Sequence, residues 1–180
     1  MYLLFLLIPV VGVIFFFTSS RLSPIPYFPS NIKDIDLIIK ALSLKNNQII
    51  IDLGAGDGLI VFEAAKMTFE KKLNTKFIAV EINPVLLLIL HWKKFFHENK
   101  KNIQIVFGNM FKMNYSKLLP KHKSQITYYL YISPWFLEKT IANIKNQLKN
   151  FYIITYMYSI PKRKEIKKIK GKNNIFTYKF

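Results

Sequence analysis

The stretch Ile49-Ile50-Ile51-Asp52-Leu53-Gly54-Ala55-Gly56-Asp57-Gly58 constrains the fold of this chain more than any other. An isoleucine-rich apolar run reads as a strand buried on both faces, and the glycines turn the chain abruptly out of it. Beyond the turn, Leu59, Phe62, Ala65 and Phe69 fall at helical spacing. Strand, glycine turn and helix together bring backbone N–H groups and a helix N-terminus up to a ligand. Glycine permits the positive φ and the close approach that a Cβ would block. The expectation is an α/β domain whose ligand site lies at this turn.

A dinucleotide-binding turn would place a glycine where this chain has Leu59. Here two acids, Asp52 and Asp57, flank the turn. They would repel a pyrophosphate and suit a cofactor bearing an amino group and a cationic sulfur. The alternative is a glycine turn with no ligand. The stretch resembles the first motif of class I S-adenosylmethionine-dependent methyltransferases. That resemblance implies S-adenosyl-L-methionine as cofactor, held at its methionine end by Asp52, Gly54, Ala55, Gly56, Asp57 and Gly58.

The next strand, Lys76 to Val80, ends in Glu81-Ile82-Asn83-Pro84. An acid at the tip of the second strand, about 20 residues beyond the glycine turn, holds ribose hydroxyls in α/β cofactor sites. Pro84 suits the first position of a helix running to about Glu98. A third strand, Ile103 to Phe107, leads into Gly108-Asn109-Met110. Asn109 is placed to reach an adenine amino group, with Met110 or Ile82 packing on the ring. The alternative for Met110 is an ordinary core position.

An aromatic fourth strand, Gln125 to Ile132, ends in Ser133-Pro134-Trp135-Phe136. In open α/β sheets the chemistry lies beyond the carboxyl ends of the strands. Tyr131, Ser133, Pro134 and Trp135 are therefore the candidates for orienting an acceptor nitrogen, against the alternative of a proline turn with a core tryptophan. A helix over Leu137 to Leu148, a fifth strand over Phe151 to Tyr158 and a last strand over Ile175 to Phe180 complete the pattern. The basic run Lys162 to Lys172 reads either as a solvated strand edge or as a contact for anionic headgroups or substrate. His91, His97 and His122 show no metal-ligand spacing.

At the other end, Tyr2 to Phe17 is apolar without a charge. Counted from Met1 to Ser20, it just reaches the roughly 17–20 residues a bilayer-spanning helix needs. No cation precedes it, as one would in a cleaved signal peptide, and Arg21 with the lysine-rich body follows. The positive-inside rule then leaves the body cytoplasmic on a single-pass anchor. A cleaved signal and a peripheral or core helix are the competing readings. Residues 21–30, rich in proline, form an extended connector whose Tyr27 and Phe28 are expected to pack on something. Residues 31–180 form the single remaining domain, opening with a helix over Asn31 to Leu44. The chain has no cysteine, so neither disulfides nor thiolate metal sites arise. The formal charge of +17 is spread as lysine along the whole chain, which reads as a solvated surface more than as a nucleic-acid footprint.

Taken together, the order of parts resembles a narrower family, that of the mitochondrial ATP synthase c-subunit lysine N-methyltransferase and its small prokaryotic relatives. The resemblance is carried by the N-terminal apolar segment, Pro26-Tyr27-Phe28-Pro29-Ser30, Asp52 to Gly58, Val80-Glu81-Ile82-Asn83-Pro84, the aromatic strand before Pro134, and Ser159-Ile160-Pro161. It implies a Rossmann-like class I methyltransferase fold, a mostly parallel seven-stranded sheet with an antiparallel C-terminal strand, preceded by a transmembrane helix. It implies methyl transfer to a lysine amine of a protein at or near the membrane; the chain is expected to act as a monomer. The chain departs from the pattern at Leu59, where relatives carry a basic residue, and after Pro161, where lysine and arginine replace glycine and tryptophan. Two other classes stay open: a nucleic-acid base methyltransferase, faintly echoed by Ser133-Pro134-Trp135-Phe136, and a non-catalytic membrane-tethered cofactor-binding module.

Overall fold

In a computed structural model, described over residues 25–119 and 124–180, the isoleucine run becomes β1 (Gln48–Leu53), buried at every position. Such a strand must be covered on both faces, and it is. Ile50 belongs to one apolar cluster, while Ile49 and Ile51 belong to the other. Around it a seven-stranded sheet runs in the order β3-β2-β1-β4-β5-β7-β6. Its other strands are β2 (Thr75–Glu81), β3 (Ile103–Phe107), β4 (Gln125–Leu130), β5 (Phe151–Tyr156), β6 (Lys167–Lys170) and β7 (Asn174–Lys179).

The first five strands are parallel, and β7 runs antiparallel between β5 and β6. Chain order reverses where β1 meets β4, the crevice at which open α/β sheets take ligands. One face of the sheet carries α1 (Ile35–Leu42), α2 (Leu59–Glu70) and α3 (Pro84–Phe96). The other carries α4 (Pro134–Lys145), with the 3₁₀ turn Tyr115–Leu118 beside it. This is the mostly parallel seven-stranded α/β sheet with an antiparallel C-terminal strand expected from the sequence.

Several boundaries differ from the sequence-based expectation, each for a local reason. The first helix is a 3₁₀ turn, Ile32–Asp34, followed by α1. Asn31 caps that turn through its side chain, and Ser43 ends α1 in the left-handed region at φ 49°. The helix expected from Leu137 begins at Pro134, because proline's fixed φ suits the first helical position. It ends at Lys145, three residues before Leu148. The fourth strand stops at Leu130, and the fifth at Tyr156 because Met157 turns to φ 72°. The helix opened by Pro84 stops at Phe96. Part of the basic run Lys162 to Lys172 is β6, the outermost strand of the sheet, where lysines disfavour pairing with another chain.

Asp34 ties the two ends of the domain together. Its carboxylate accepts from Lys172 N at 2.7 Å, Asn173 N at 2.9 Å and the Tyr156 hydroxyl at 2.7 Å. Burial alone would raise its pKa. The bonds from Asn173, Tyr156 and Lys172 outweigh that and hold it below the usual carboxylate value. The β6–β7 turn is thereby pinned to the start of α1. The segment Met1 to Ser20 lies outside the described residues, as do 21–24 of the connector. Among the described residues, no helix is long and apolar enough to cross a membrane.

Candidate functional site

The turn after β1 is shaped by three left-handed glycines, Gly54 at φ 79°, Gly56 at φ 59° and Gly58 at φ 80°. Val80 O, at the end of β2, accepts from Gly54 N at 2.9 Å and Ala55 N at 3.0 Å, so the turn folds back against the neighbouring strand. Glu81 completes the tie. Its Oε2 accepts from Gly56 N at 2.8 Å, and its Oε1 accepts from Ile82 N at 2.8 Å and Asn83 N at 2.9 Å. An ionised carboxylate has about four acceptor positions, so one remains for a hydroxyl group.

The three glycines do different work. Gly54 faces Met110, whose Cε would lie 3.0 Å from an added Cβ. A Cβ on Gly56 would fall 2.7 Å from Cε2 of Tyr27, so the approach it permits is taken by a ring of this chain. A Cβ on Gly58 would fall 2.5 Å from both Leu90 and Phe62, which makes that glycine a packing requirement between α2 and α3. Gly58 does not line the cavity; the other five residues of Asp52, Gly54, Ala55, Gly56, Asp57 and Gly58 do.

That cavity, about 870 Å³ with its open mouth, lies beyond the carboxyl ends of β1, β2 and β4. Its walls include Glu81, Ile82, Asn109, Met110 and Tyr131, together with residues 25–30. Asn109 turns its own loop, its Oδ1 accepting from Phe111 N at 2.9 Å. Tyr131 has its hydroxyl 3.7 Å from Met157 Sδ and its ring edge-on to Tyr156. Ser133, Pro134 and Trp135 are not in the wall. They open α4, and Trp135 is 79 % exposed. The structure therefore brings Asp52, Gly54 to Asp57, Glu81, Ile82, Asn109 and Met110 together with Tyr131, and leaves Gly58, Ser133, Pro134 and Trp135 outside.

The electrostatics are acidic. Asp52, buried at the end of β1, accepts no hydrogen bond from the described residues, and its pKa is pushed up to about 8 by burial, then by the charges of Glu81 and Asp57. Asp57 is paired with Lys93, whose Nζ donates to its Oδ2 at 2.6 Å and its carbonyl at 2.9 Å. Tyr27 also hydrogen-bonds Asp57, and burial followed by that charge raises its pKa to about 12. A carboxyl that faces the cavity with no partner from the described residues, beside two further acids, fits a ligand that brings its own cation. Among the described residues, no group of three or more His, Cys, Asp or Glu could hold a metal.

Sequence reasoning missed Lys93, Ser30 and Tyr129. The Asp57–Lys93 pair spans 36 residues and two helices, and no local pattern announces it. Ser30 and Tyr129 share a 2.8 Å hydrogen bond that closes the connector onto β4. The prolines and aromatics of 26–29 were the available signal for that closure.

No protein-family model and no curated protein matches the chain. Solved structures do match in fold. An RNA methyltransferase from Salinibacter ruber, in complex with S-adenosyl-L-homocysteine, superposes with a TM-score of 0.71 over 84% of this chain and 93% of its own, at 16% identity. A precorrin-6y C5,15-methyltransferase from Geobacter metallireducens gives 0.56 over 79% and 67%, at 19% identity. A precorrin 8w decarboxylase from Methanobacterium thermoautotrophicum gives 0.55 over 76% and 67%, at 18% identity. At these identities the likeness is one of fold, and this fold carries more than one reaction. What the comparisons and the sheet order establish together is a Rossmann-like class I methyltransferase fold.

Proposed function

We propose that this protein is an S-adenosylmethionine-dependent methyltransferase acting on a nitrogen, namely a lysine amine of a protein at or near a membrane. One observation carries the cofactor assignment. The buried Asp52 carboxyl lacks a partner among the described residues, in a cavity whose turn is held by Glu81. The S-adenosyl-L-homocysteine bound by the fold neighbour from Salinibacter ruber supports the same choice.

S-adenosyl-L-methionine would supply a methyl group on a cationic sulfur, open to displacement by an amine lone pair. Asp52 would take the amino group of the methionine end, and Glu81 a ribose hydroxyl through its remaining acceptor position. Asn109 would lie near the adenine, with Met110 or Ile82 packing on its ring. Tyr131, at the end of β4, would orient the amine as it gives up its proton. Such a displacement needs alignment of donor and acceptor more than covalent help from the protein. The described residues offer no single general base.

The lysine acceptor is supported by the resemblance read from Pro26 to Ser30, and the membrane by the uncharged segment Tyr2 to Phe17. Held by that segment, the body would be cytoplasmic and its cavity confined near membrane proteins, raising their effective concentration. A nucleic-acid acceptor is the second reading, favoured by the charge of +17 and by the neighbour that methylates RNA. The test is full-length protein incubated with methyl-labelled cofactor and separated membrane, soluble-protein and RNA fractions. Label in membrane proteins, recovered as methyllysine, is the expected result. Label confined to RNA would hand the function to the second reading, and absence of label everywhere would leave only a binding module.

A further inference from the structure

α3 presents two apolar faces. Leu86 and Leu90 are buried inward, as on any helix lying on a sheet. The outward face carries Leu88, Trp92, Phe95 and Phe96, which are 72, 67, 66 and 69 % exposed. Residues spaced by three and four share one side of a helix, so these form a single stripe. Trp92 and Phe96 meet edge to face at 5.7 Å between centroids, and Phe95 and Phe96 at 5.0 Å, so the rings make one surface. A contiguous exposed apolar patch marks an interaction site. Its border is basic. Between Pro84 and Asn102 stand Lys93, Lys94, Lys100 and Lys101 against one acid, Glu98, with Glu63 of α2 facing the same groove.

We infer that the outward face of α3 lies in the headgroup region of an anionic lipid bilayer. An apolar stripe of leucine, tryptophan and phenylalanine flanked by lysine is the make-up of an interfacial helix. Tryptophan in particular settles at the boundary between hydrocarbon and water. Charge complementarity selects an anionic surface, with Lys94 and Lys101 available to it while Lys93 is held by Asp57.

Position selects it too. Leu59 borders both the acidic cavity and the groove that Trp92 and Phe96 form with Phe62 between α2 and α3. Asp57, which binds Lys93 in that groove, also binds Tyr27 near the start of the described chain. Upstream, residues 18–24 could extend at most about 25 Å before the apolar run Tyr2 to Phe17 is reached. The patch, the cavity and the entry point of the chain therefore lie side by side. The bilayer contact would set the cavity's orientation toward the membrane surface, and it holds whatever nitrogen is methylated.

The chain has two tryptophans, so Trp135→Phe leaves Trp92 alone and Trp92→Phe leaves Trp135 alone. Both full-length variants are reconstituted with phosphatidylcholine–phosphatidylserine bilayers, with and without bromine on the lipid chains. Trp92 emission should shift to the blue and be quenched by brominated lipid, less so in pure phosphatidylcholine, while Trp135 responds to neither. Attached protein whose Trp92 stays open to acrylamide and unquenched by bromine would overturn the inference. So would Trp92 shielded from both quenchers, which means that the chain's own N-terminal segment or a second copy covers the face. Failure of the chain to attach overturns it as well, and equal quenching in neutral bilayers overturns the choice of an anionic surface.

Discussion

Glu81 Oε2 and Gly56 N are joined by a 2.8 Å hydrogen bond across 25 residues of sequence. The acid at the tip of β2 is therefore a strut for the glycine turn, whatever its remaining acceptor position binds. Hydrogen bonds to a charged acceptor contribute roughly 1.5–3 kcal/mol each. Glu81→Ala removes three of them and frees the turn, so affinity for the proposed cofactor should fall by at least about tenfold. Isothermal calorimetry reads the change. An unaltered dissociation constant would separate Glu81 from the cofactor.

Asp52 gives a pH dependence with a defined sign. Its pKa of about 8 in the folded protein stands above the unfolded value near 3.9, so the folded state binds the proton more tightly. Its contribution to stability is complete below about pH 4 and is lost as pH rises toward 8. Cofactor binding should run the other way, strengthening toward pH 8 as the carboxylate becomes available to an ammonium. Asp52→Asn should flatten both slopes, measured by chemical denaturation and by calorimetry between pH 5 and 9.

Gly58 separates packing from ligand contact. Alanine there meets Leu90 and Phe62 at 2.5 Å and must hold φ 80°. Overpacking costs about 1–3 kcal/mol and the left-handed backbone about 1–2 kcal/mol more. Gly58→Ala should therefore lower the denaturant midpoint by the equivalent of about 2–5 kcal/mol. What fraction remains folded should still bind cofactor, since Gly58 is outside the cavity wall.

Asp34→Ala should act on the opposite edge of the sheet. It leaves Lys172 N, Asn173 N and the Tyr156 hydroxyl without their acceptor, at roughly 1–3 kcal/mol for each group that water does not reach. Amide exchange should accelerate in β6 and β7 and change little in β1. Uniform acceleration through the whole sheet would contradict a local pin.

The parts legible in the sequence are those written in local pattern. The isoleucine run, the glycines, Glu81 at the tip of β2 and Pro84 at a helix start each carry their own signature, and the cavity forms where they predict. Helix boundaries near Pro134 and Leu148 were less legible, because alternating aromatics of a buried strand and an amphipathic helix read alike over a few residues. The Asp57–Lys93 pair and the closure of Ser30 onto Tyr129 are products of tertiary packing, with partners 36 and 99 residues apart. Pro26 to Ser30 announced only that the connector packs on something, not that Tyr27 would lie on Gly56.

The central claim is that this cavity binds S-adenosyl-L-methionine. Calorimetric titration of the full-length protein with that cofactor at pH 8 tests it most directly, alongside Gly56→Val. One saturable site is expected in the native chain, displaced by S-adenosyl-L-homocysteine and lost in the variant while the fold, read by circular dichroism, persists. No heat of binding from a native chain shown to be folded would contradict it.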